Sequence, residues 1–487
     1  MLAGFPAFAQ QTRPSTSERR PRRREARGVQ LPAELAPYAA LSCLVGKVTD
    51  RSVVLSVLSR EAGEFSVRSG PTRNRLTRES PRIQLNPGEV HEHPLDVQSA
   101  ECHYEVKFLP KGSNSPITRG PLAIRAPRAK GSEFSFTIQG DSHPERPQMF
   151  DATLYARTLQ GVAQVKGDFH VCMGDDFSIS KLPQYTADSV AARYLLQRPF
   201  LGLVGESSPL FLVNGNHEQA SLYNYNQTGI AHAAAVCAQV ARNSLFPVPE
   251  PDHFYSGNTK PLEGIGPLRD YCAWTWGNAL FVILDCYWHS PAGVDSRDNE
   301  IGAGDRSRNG RDRDWWGITI GDEQYHWFKE TLEKSTATYK FVFAHHVLGT
   351  GRGGVERAHL FEWGGKNNRG ADEFKQHRPN WELPIHQLMV KHGVSIFFQG
   401  HDHLFAKQEL DGVIYQEVPV PADWTYSTFN DESYTSGVKY PNSGFLSVRV
   451  GVKQAEVEYV RSCLPKDETK DRKHGEVVYR YSVPPRS

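Results

Sequence analysis

The chain has 487 residues, enough for about three domains, and its 39% hydrophobic and 23% charged content excludes a single small module or a wholly disordered or collagen-like chain. Net charge is +1, but seven Arg against two Glu fall in the first 28 residues, which leaves −4 for the rest. The body therefore offers no basic track for nucleic acid, and its longest apolar run, 279–284, stops at Asp285, far short of the ~18 residues of a membrane span.

Residues 1–9 are apolar and end in Ala7, Phe8 and Ala9, the small-x-small pattern that export peptidases cut after. We read them as the remnant of a signal peptide without its charged leading region, and expect an exported protein, periplasmic or extracellular. Residues 10–30, with the run ERRPRRREAR, are like-charged and Pro-interrupted, which predicts a solvated linker. The seven cysteines show no CxxC spacing, so a cysteine-based zinc site is not expected. Export would permit bridges, with Cys43 and Cys102 the two cysteines of the N-terminal region; otherwise these are small buried thiols.

Residues 31–130 hold short alternating segments, such as 52–58 and 102–109, broken by Pro, Gly and Asn, the pattern of a small antiparallel β-sandwich. Across 131–462 the rhythm changes to near-continuous apolar runs at 134–138, 169–173, 209–213, 279–284, 340–344 and 394–398, as expected of strands covered on both faces. Helical spacing separates several of them: Phe150, Leu154, Leu159 and Val162; Tyr325, Phe328 and Leu332; and Ile385, Leu388 and Met389 ahead of a capping Gly393. The predicted class is a layered α/β domain behind a small all-β sandwich, with 463–487 as a C-terminal extension and the polar insertion 290–321 as a solvated loop.

Polar clusters follow five of the six runs. They are GDSH (Asp141, His143), GDD (Asp175), GNHE (Asn216, His217), a His pair (His345, His346) and GHDH (His401, His403). All fall at the carboxyl ends of predicted strands, the edge where α/β sheets bind ligands, so residues far apart in sequence can converge. Two carboxylates, one amide oxygen and four imidazoles suit Mn, Fe or Zn rather than Ca or Mg. Seven ligands exceed one tetrahedral ion and fit two ions sharing a bridging carboxylate, a pair able to clamp a phosphoryl group while a shared hydroxide attacks it. Glycines before Asp141, Asp175, Asn216 and His401 are expected to let each strand turn sharply.

This ordered set resembles the calcineurin-like metallophosphoesterase superfamily over roughly residues 134–450, and the β-sandwich in front resembles the fibronectin-III-like module of purple acid phosphatases and related secreted phosphatases. The resemblance implies a metallophosphoesterase β-sandwich flanked by helices. It puts Asp141, His143 and His403 on one divalent or trivalent transition-metal ion, Asn216, His345 and His401 on a second, and Asp175 between them. It makes His217 the catalytic group that faces substrate, stabilising the transition state or protonating the leaving oxygen. Purple acid phosphatases carry Tyr three positions after the bridging Asp, where this chain has Ser178, so the tyrosinate colour is not expected and a broader bacterial-type phosphatase is favoured.

Strand alternation alone leaves His345 and His346 as rival ligands; the resemblance favours His345. Glu218 either tunes His217 or lies at the surface. Arg352 and Arg378, with Asn216, are candidate substrate contacts, and 349–354 (GTGRGG) is either a phosphate cradle or a plain Gly-rich turn. His170, Asp168 and Asp176 read as structural. The expected function is hydrolysis of a small phosphorylated substrate, with a monoester first and a phosphodiester of nucleotides or lipid head groups second. A non-catalytic phospho-ligand or protein-binding module is the reading from a different class, and a retained His217 argues against it.

Overall fold

The computed structural model describes residues 29–97, 100–294, 314–347 and 351–486. The signal-peptide reading, nearly all of the basic linker and most of the polar insertion lie outside these residues.

The N-terminal part is all-β. One sheet carries Leu41–Gly46, Ser52–Ser59 and Val90–Asp96; the other is built on Gly63–Gly70, Glu101–Pro110 and Ile117–Arg125. Alternate residues of Glu101–Pro110 are buried, Cys102, Tyr104, Val106 and Phe108 among them, as a one-face-covered strand requires. Cys43 and Cys102 are both buried free thiols, as are most of the other cysteines.

Behind it two mixed sheets pack face to face. The six-stranded sheet runs in the order Leu210–Leu212, Phe169–Cys172, Phe134–Gln139, Gly444–Val450, Ala455–Arg461, Val477–Val483, with the first three parallel. The eight-stranded sheet has a parallel centre of Ala279–Ile283, Tyr339–Phe343, Ile396–Gln399 and Val413–Glu417. Phe136 and Phe169 of one sheet meet Phe281, Phe341, Phe343 and Phe398 of the other; Phe136 stacks on Phe169 at 5.1 Å and meets Phe281 edge-on at 5.2 Å. Such rings bury large apolar areas and lock the two sheets in one register. All six predicted apolar runs form strands here. Val477–Val483 pairs with Ala455–Arg461, so the segment read as an extension completes the sheet.

Helices cover the outer faces. Ala152–Val165 starts at Asp151, whose side chain accepts from the Leu154 N–H at 2.8 Å, and buries Leu154, Leu159 and Val162. Gly321–Lys334 buries Tyr325, Phe328 and Leu332. Ile385–Lys391 ends as expected, with Gly393 left-handed at φ 63°. Two helices that the periodicity did not announce, Ala187–Gly205 and Ile230–Leu245, cover the six-stranded sheet on its Leu210–Leu212 side. From the first of these, fully buried Arg198 donates to Ser42 Oγ at 2.9 Å and Ser56 Oγ at 3.1 Å, and Arg119 pairs with Glu206 at 2.6 Å. The N-terminal sandwich is therefore docked on the catalytic layers through buried polar contacts. No helix among the described residues is long and apolar enough to cross a membrane.

Candidate metal centre

The loops after Phe134–Gln139, Phe169–Cys172 and Leu210–Leu212 bring Asp141, His143, Asp175 and Asn216 from one sheet. Those after Tyr339–Phe343 and Ile396–Gln399 bring His345, His401 and His403 from the other. Their side chains meet. His403 Nε2 lies 3.1 Å from Asp141 Oδ2 and 3.0 Å from His143 Nε2. His345 Nε2 lies 3.3 Å from Asp175 Oδ2 and 3.1 Å from Asn216 Oδ1, and His401 Nδ1 is 3.0 Å from the same amide oxygen. Three groups of potential ligands result: Asp141, His143 and His403; Asp175, His345 and His401; and His143, Asp175 and His217. Asp175 belongs to two of them. All these residues are at most 7% exposed.

The outward nitrogens are already engaged. His143 Nδ1 lies 2.9 Å from Glu145 Oε1 and His345 Nδ1 lies 2.8 Å from the Met173 carbonyl. Both partners only accept, so each Nδ1 carries a proton and each Nε2 is turned toward the carboxylates. Burial, helped by the Arg146 charge, pulls His143 down to about 4 and keeps that Nε2 lone pair bare. Burial also opposes charge on His345, but Asp175 and Asp141 outweigh it and hold the imidazole up at about 10. Asp141 is likewise held at about 2, burial being overcome by His345 and His403. Carboxylate, amide and imidazole groups converging in a buried pocket make a mixed O/N set that fits transition-metal cations, which would displace the proton on His345.

Backbone strain concentrates here. His143, Asp175, His401 and His403 are left-handed at φ 47°, 57°, 75° and 59°. For non-glycine residues each costs of order 1–3 kcal/mol and persists only where the surroundings over-determine it. The His401 N–H donates to the Asp141 carboxylate at 3.1 Å and the His217 N–H to Asp175 Oδ1 at 2.8 Å. The glycines contribute differently from the expectation. Gly174 alone of the four is left-handed, at φ 102°, whereas a Cβ on Gly215 or Gly400 would sit 2.3 Å from Asp175 Oδ1 or 2.6 Å from Asp141 Oδ1. Those two are glycine because the carboxylates need the space.

His217 has partners that the sequence did not suggest. Its Nδ1 is 2.8 Å from Ser180 Oγ and its Nε2 is 2.6 Å from Arg146 Nη2, while its ring lies 5.0 Å from that of His143. Glu145 and Arg146 directly follow the GDSH motif as GDSHPER, and that adjacency is the one signal by which sequence reading could have found them. Glu218 does not lie at the surface but is buried. It accepts from the N–H groups of Asp175 (3.0 Å), Phe177 (2.9 Å) and Gly215 (2.9 Å), and so clamps two of the loops together. Burial, then the Asp175 charge, pushes its carboxyl up to about 7.

His345, not His346, faces the carboxylates; the His346 ring packs 4.5 Å from His401 and 5.8 Å from Tyr287. Arg352 Nη1 donates to the His401 carbonyl at 2.8 Å and to Asp402 Oδ1 at 3.0 Å, so it buttresses the GHDH loop. Arg378 pairs with buried Glu362 at 2.7 Å and lies over Trp316 and Trp381, so its guanidinium is already engaged there. In the Gly-rich turn, the Gly353 N–H is spent on Asp402 Oδ2 at 2.7 Å, and residues 349 and 350 lie outside the described residues. His170, Asp168 and Asp176 serve structure. His170 bridges Thr137 and Gln139, Asp168 pairs with Arg128 at 2.6 Å, and Asp176 accepts from Gln139 at 2.8 Å.

Residues 134–405, more than half of the chain, match the family of calcineurin-like phosphoesterases, and the chain belongs to that family. It is a metal-dependent phosphoesterase. Among solved structures it is similar to PhoD, with a TM-score of 0.59 at 13% identity over 86% of this chain and 85% of that one. It is also similar to the purple acid phosphatase PPD1 from seeds of yellow lupin (Lupinus luteus), with a TM-score of 0.57 at 16% identity over 91% of this chain and 74% of that one. At such identity these likenesses show the shared fold. No curated protein matches by sequence.

Proposed function

We propose that the protein is a phosphomonoesterase working at a dinuclear metal centre. In this reading Asp141, His143 and His403 hold one ion, Asn216, His345 and His401 the other, and Asp175 bridges them. Two bound transition-metal ions would supply Lewis acidity and an activated water for in-line attack. The chain's own residues do the rest. Glu145 and the Met173 carbonyl fix the two imidazoles so that Nε2 points inward, Glu218 keeps the GDD and GNHE loops in register, and His217 stands on the substrate side with Ser180 behind it.

The observation that carries the monoester reading is Arg146. Its guanidinium touches His217 Nε2 and, although its Nε also lies 3.3 Å from Glu145 Oε1, its charge still reaches His143, so a cation stands beside a cluster already built to hold cations. A monoester brings two negative charges and a diester only one, so the extra cation favours the dianion. Rates on phosphomonoesters and phosphodiesters with Mn, Fe or Zn supplied test this directly. A clear preference for diesters would overturn it in favour of a phosphodiesterase. Export belongs to the same proposal, supported by the apolar segment ending in Ala7–Phe8–Ala9, and sequencing the N-terminus of protein recovered outside the cytoplasm tests it.

A further inference from the structure

Among the described residues six large hydrophobic side chains are exposed, and the two aromatic ones, Trp424 at 44% and Phe429 at 46%, lie in one loop beside the metal centre. The Phe429 ring meets that of His403 edge-on at 6.2 Å. Exposing such rings forfeits the burial of an apolar face, and a floppy loop would fold them inward. This loop is instead fixed from beneath. Fully buried Asp423 accepts from Thr425 N–H (2.9 Å), Ser427 Oγ (2.8 Å) and Asn442 Nδ2 (3.2 Å), and the same Asn442 amide donates to the His403 carbonyl at 2.6 Å. Asn430 Nδ2 donates to the Asp402 carbonyl at 3.1 Å. The Trp424 N–H donates to the Met149 carbonyl at 3.0 Å, and the Met149 N–H in turn bonds the Arg146 carbonyl at 3.0 Å. The backbone is thus tied both to the GHDH loop and to the turn that carries Arg146, while two rings are held out toward solvent.

We propose that Phe429, with Trp424, forms an aromatic platform that receives a planar aromatic leaving group, so that the substrates are phosphate esters of an aryl or nucleoside type. The inference rests on the phosphomonoesterase reading for its reaction and on the exposed rings for its specificity. A ring bonded through oxygen to a phosphoryl group at the metal cluster needs a flat apolar face a few ångströms away, and stacking on an aromatic side chain accepts any such ring without hydrogen-bond readout.

The test compares phenyl phosphate and adenosine 5′-monophosphate with glycerol 3-phosphate, for wild type and for Phe429→Ala, Phe429→Leu and Trp424→Ala, each loaded with Mn. The ratio of kcat/KM for each aromatic ester to that for glycerol phosphate should fall by about 5- to 50-fold in Phe429→Ala, mostly through KM, and by less in Phe429→Leu. Loss on adenosine monophosphate alone assigns the platform to a nucleoside; loss on both esters assigns it to aryl groups generally. An unchanged ratio in all three variants overturns the proposal. If wild type hydrolyses none of these esters, the phosphatase reading falls separately, and calorimetric binding of phenylphosphonate then decides the platform. Weaker binding to Phe429→Ala supports it and equal binding rejects it.

Discussion

Arg146 Nη2 lies 2.6 Å from His217 Nε2, so a group that can only donate faces the nitrogen expected to act on the leaving oxygen. In this arrangement Nε2 holds a lone pair, Nδ1–H points to Ser180 Oγ, and the guanidinium takes the outer position. Protonation of a leaving group by His217 then requires Arg146 to give up this hydrogen bond and Nε2 to take up a proton from solvent first.

Replacing His217 by Ala should leave the metal content unchanged and lower kcat by about 10²- to 10⁴-fold, the usual worth of a positioned proton donor. The loss should be larger for glycerol phosphate than for nitrophenyl phosphate, whose departing oxygen needs no proton. Equal losses would leave His217 only an electrostatic role, and loss of metal would make it a ligand, which its place in a group with His143 and Asp175 makes a real alternative.

Asp175 is shared by both halves of the cluster, and its carboxylate is held well below the usual range, burial being outweighed by His345 and His217. Asp175→Asn should therefore be the most damaging ligand change. Elemental analysis after reconstitution should approach two ions per chain for wild type and fall clearly below that for the variant. A variant that keeps both ions and full rate contradicts the bridging role.

On the proposed ligand set, Glu145 would act on the metal through His143. Glu145→Gln preserves a hydrogen-bond acceptor but removes the charge that makes the imidazole more basic, so affinity at the His143 site should drop about 10- to 100-fold in a chelator competition. Unaltered affinity would show that the contact is incidental.

A separate cluster, in which Asp285 accompanies buried Asp270 and half-buried His289, gives a pH signature. His289 Nε2 lies 2.7 Å from Asp270 Oδ2; burial lowers the imidazole, but the hydrogen bond and charge of Asp270 outweigh it and hold it above its ordinary value. A proton bound more tightly in the folded state contributes stability fully below the unfolded value of about 6.5, and that contribution disappears as pH rises through the folded value. Asp270→Asn should thus destabilise by about 3 kcal/mol near pH 6 and by less near pH 9, read from urea midpoints at the two pH values. A pH-independent loss would mean that the pair is held by packing alone.

Much of the site was legible because chemistry and position coincide: Asp141, Asp175, Asn216, His345 and His401 each follow an apolar run at once, and two-sided burial makes such runs conspicuous. Ser180 was not, since a single polar residue in a loop has no period and declares itself only when the chain folds it against His217; Glu145 and Arg146 were marked by nothing but their place after GDSH. The helix Ala187–Gly205 escaped for another reason. It buries Val190, Tyr194, Gln197, Arg198, Pro199 and Phe200, so it shows no single apolar stripe, and Pro199 inside it reads as a breaker. Trp424 and Phe429 could be counted in the sequence, but their exposure could not.

Consecutive residues of that helix serve different parts of the molecule. Gln197 Nε2 donates to Ser142 Oγ at 2.9 Å, between Asp141 and His143, while Arg198 is swallowed by Ser42, Ser56 and the Leu245 carbonyl. An expression clone beginning at residue 131 would strip the guanidinium of its serine hydroxyls and open a hole beside the residue that steadies the first metal loop. The front sandwich is, in that sense, part of the enzyme's foundation, and trimming it should cost metal retention before it costs solubility.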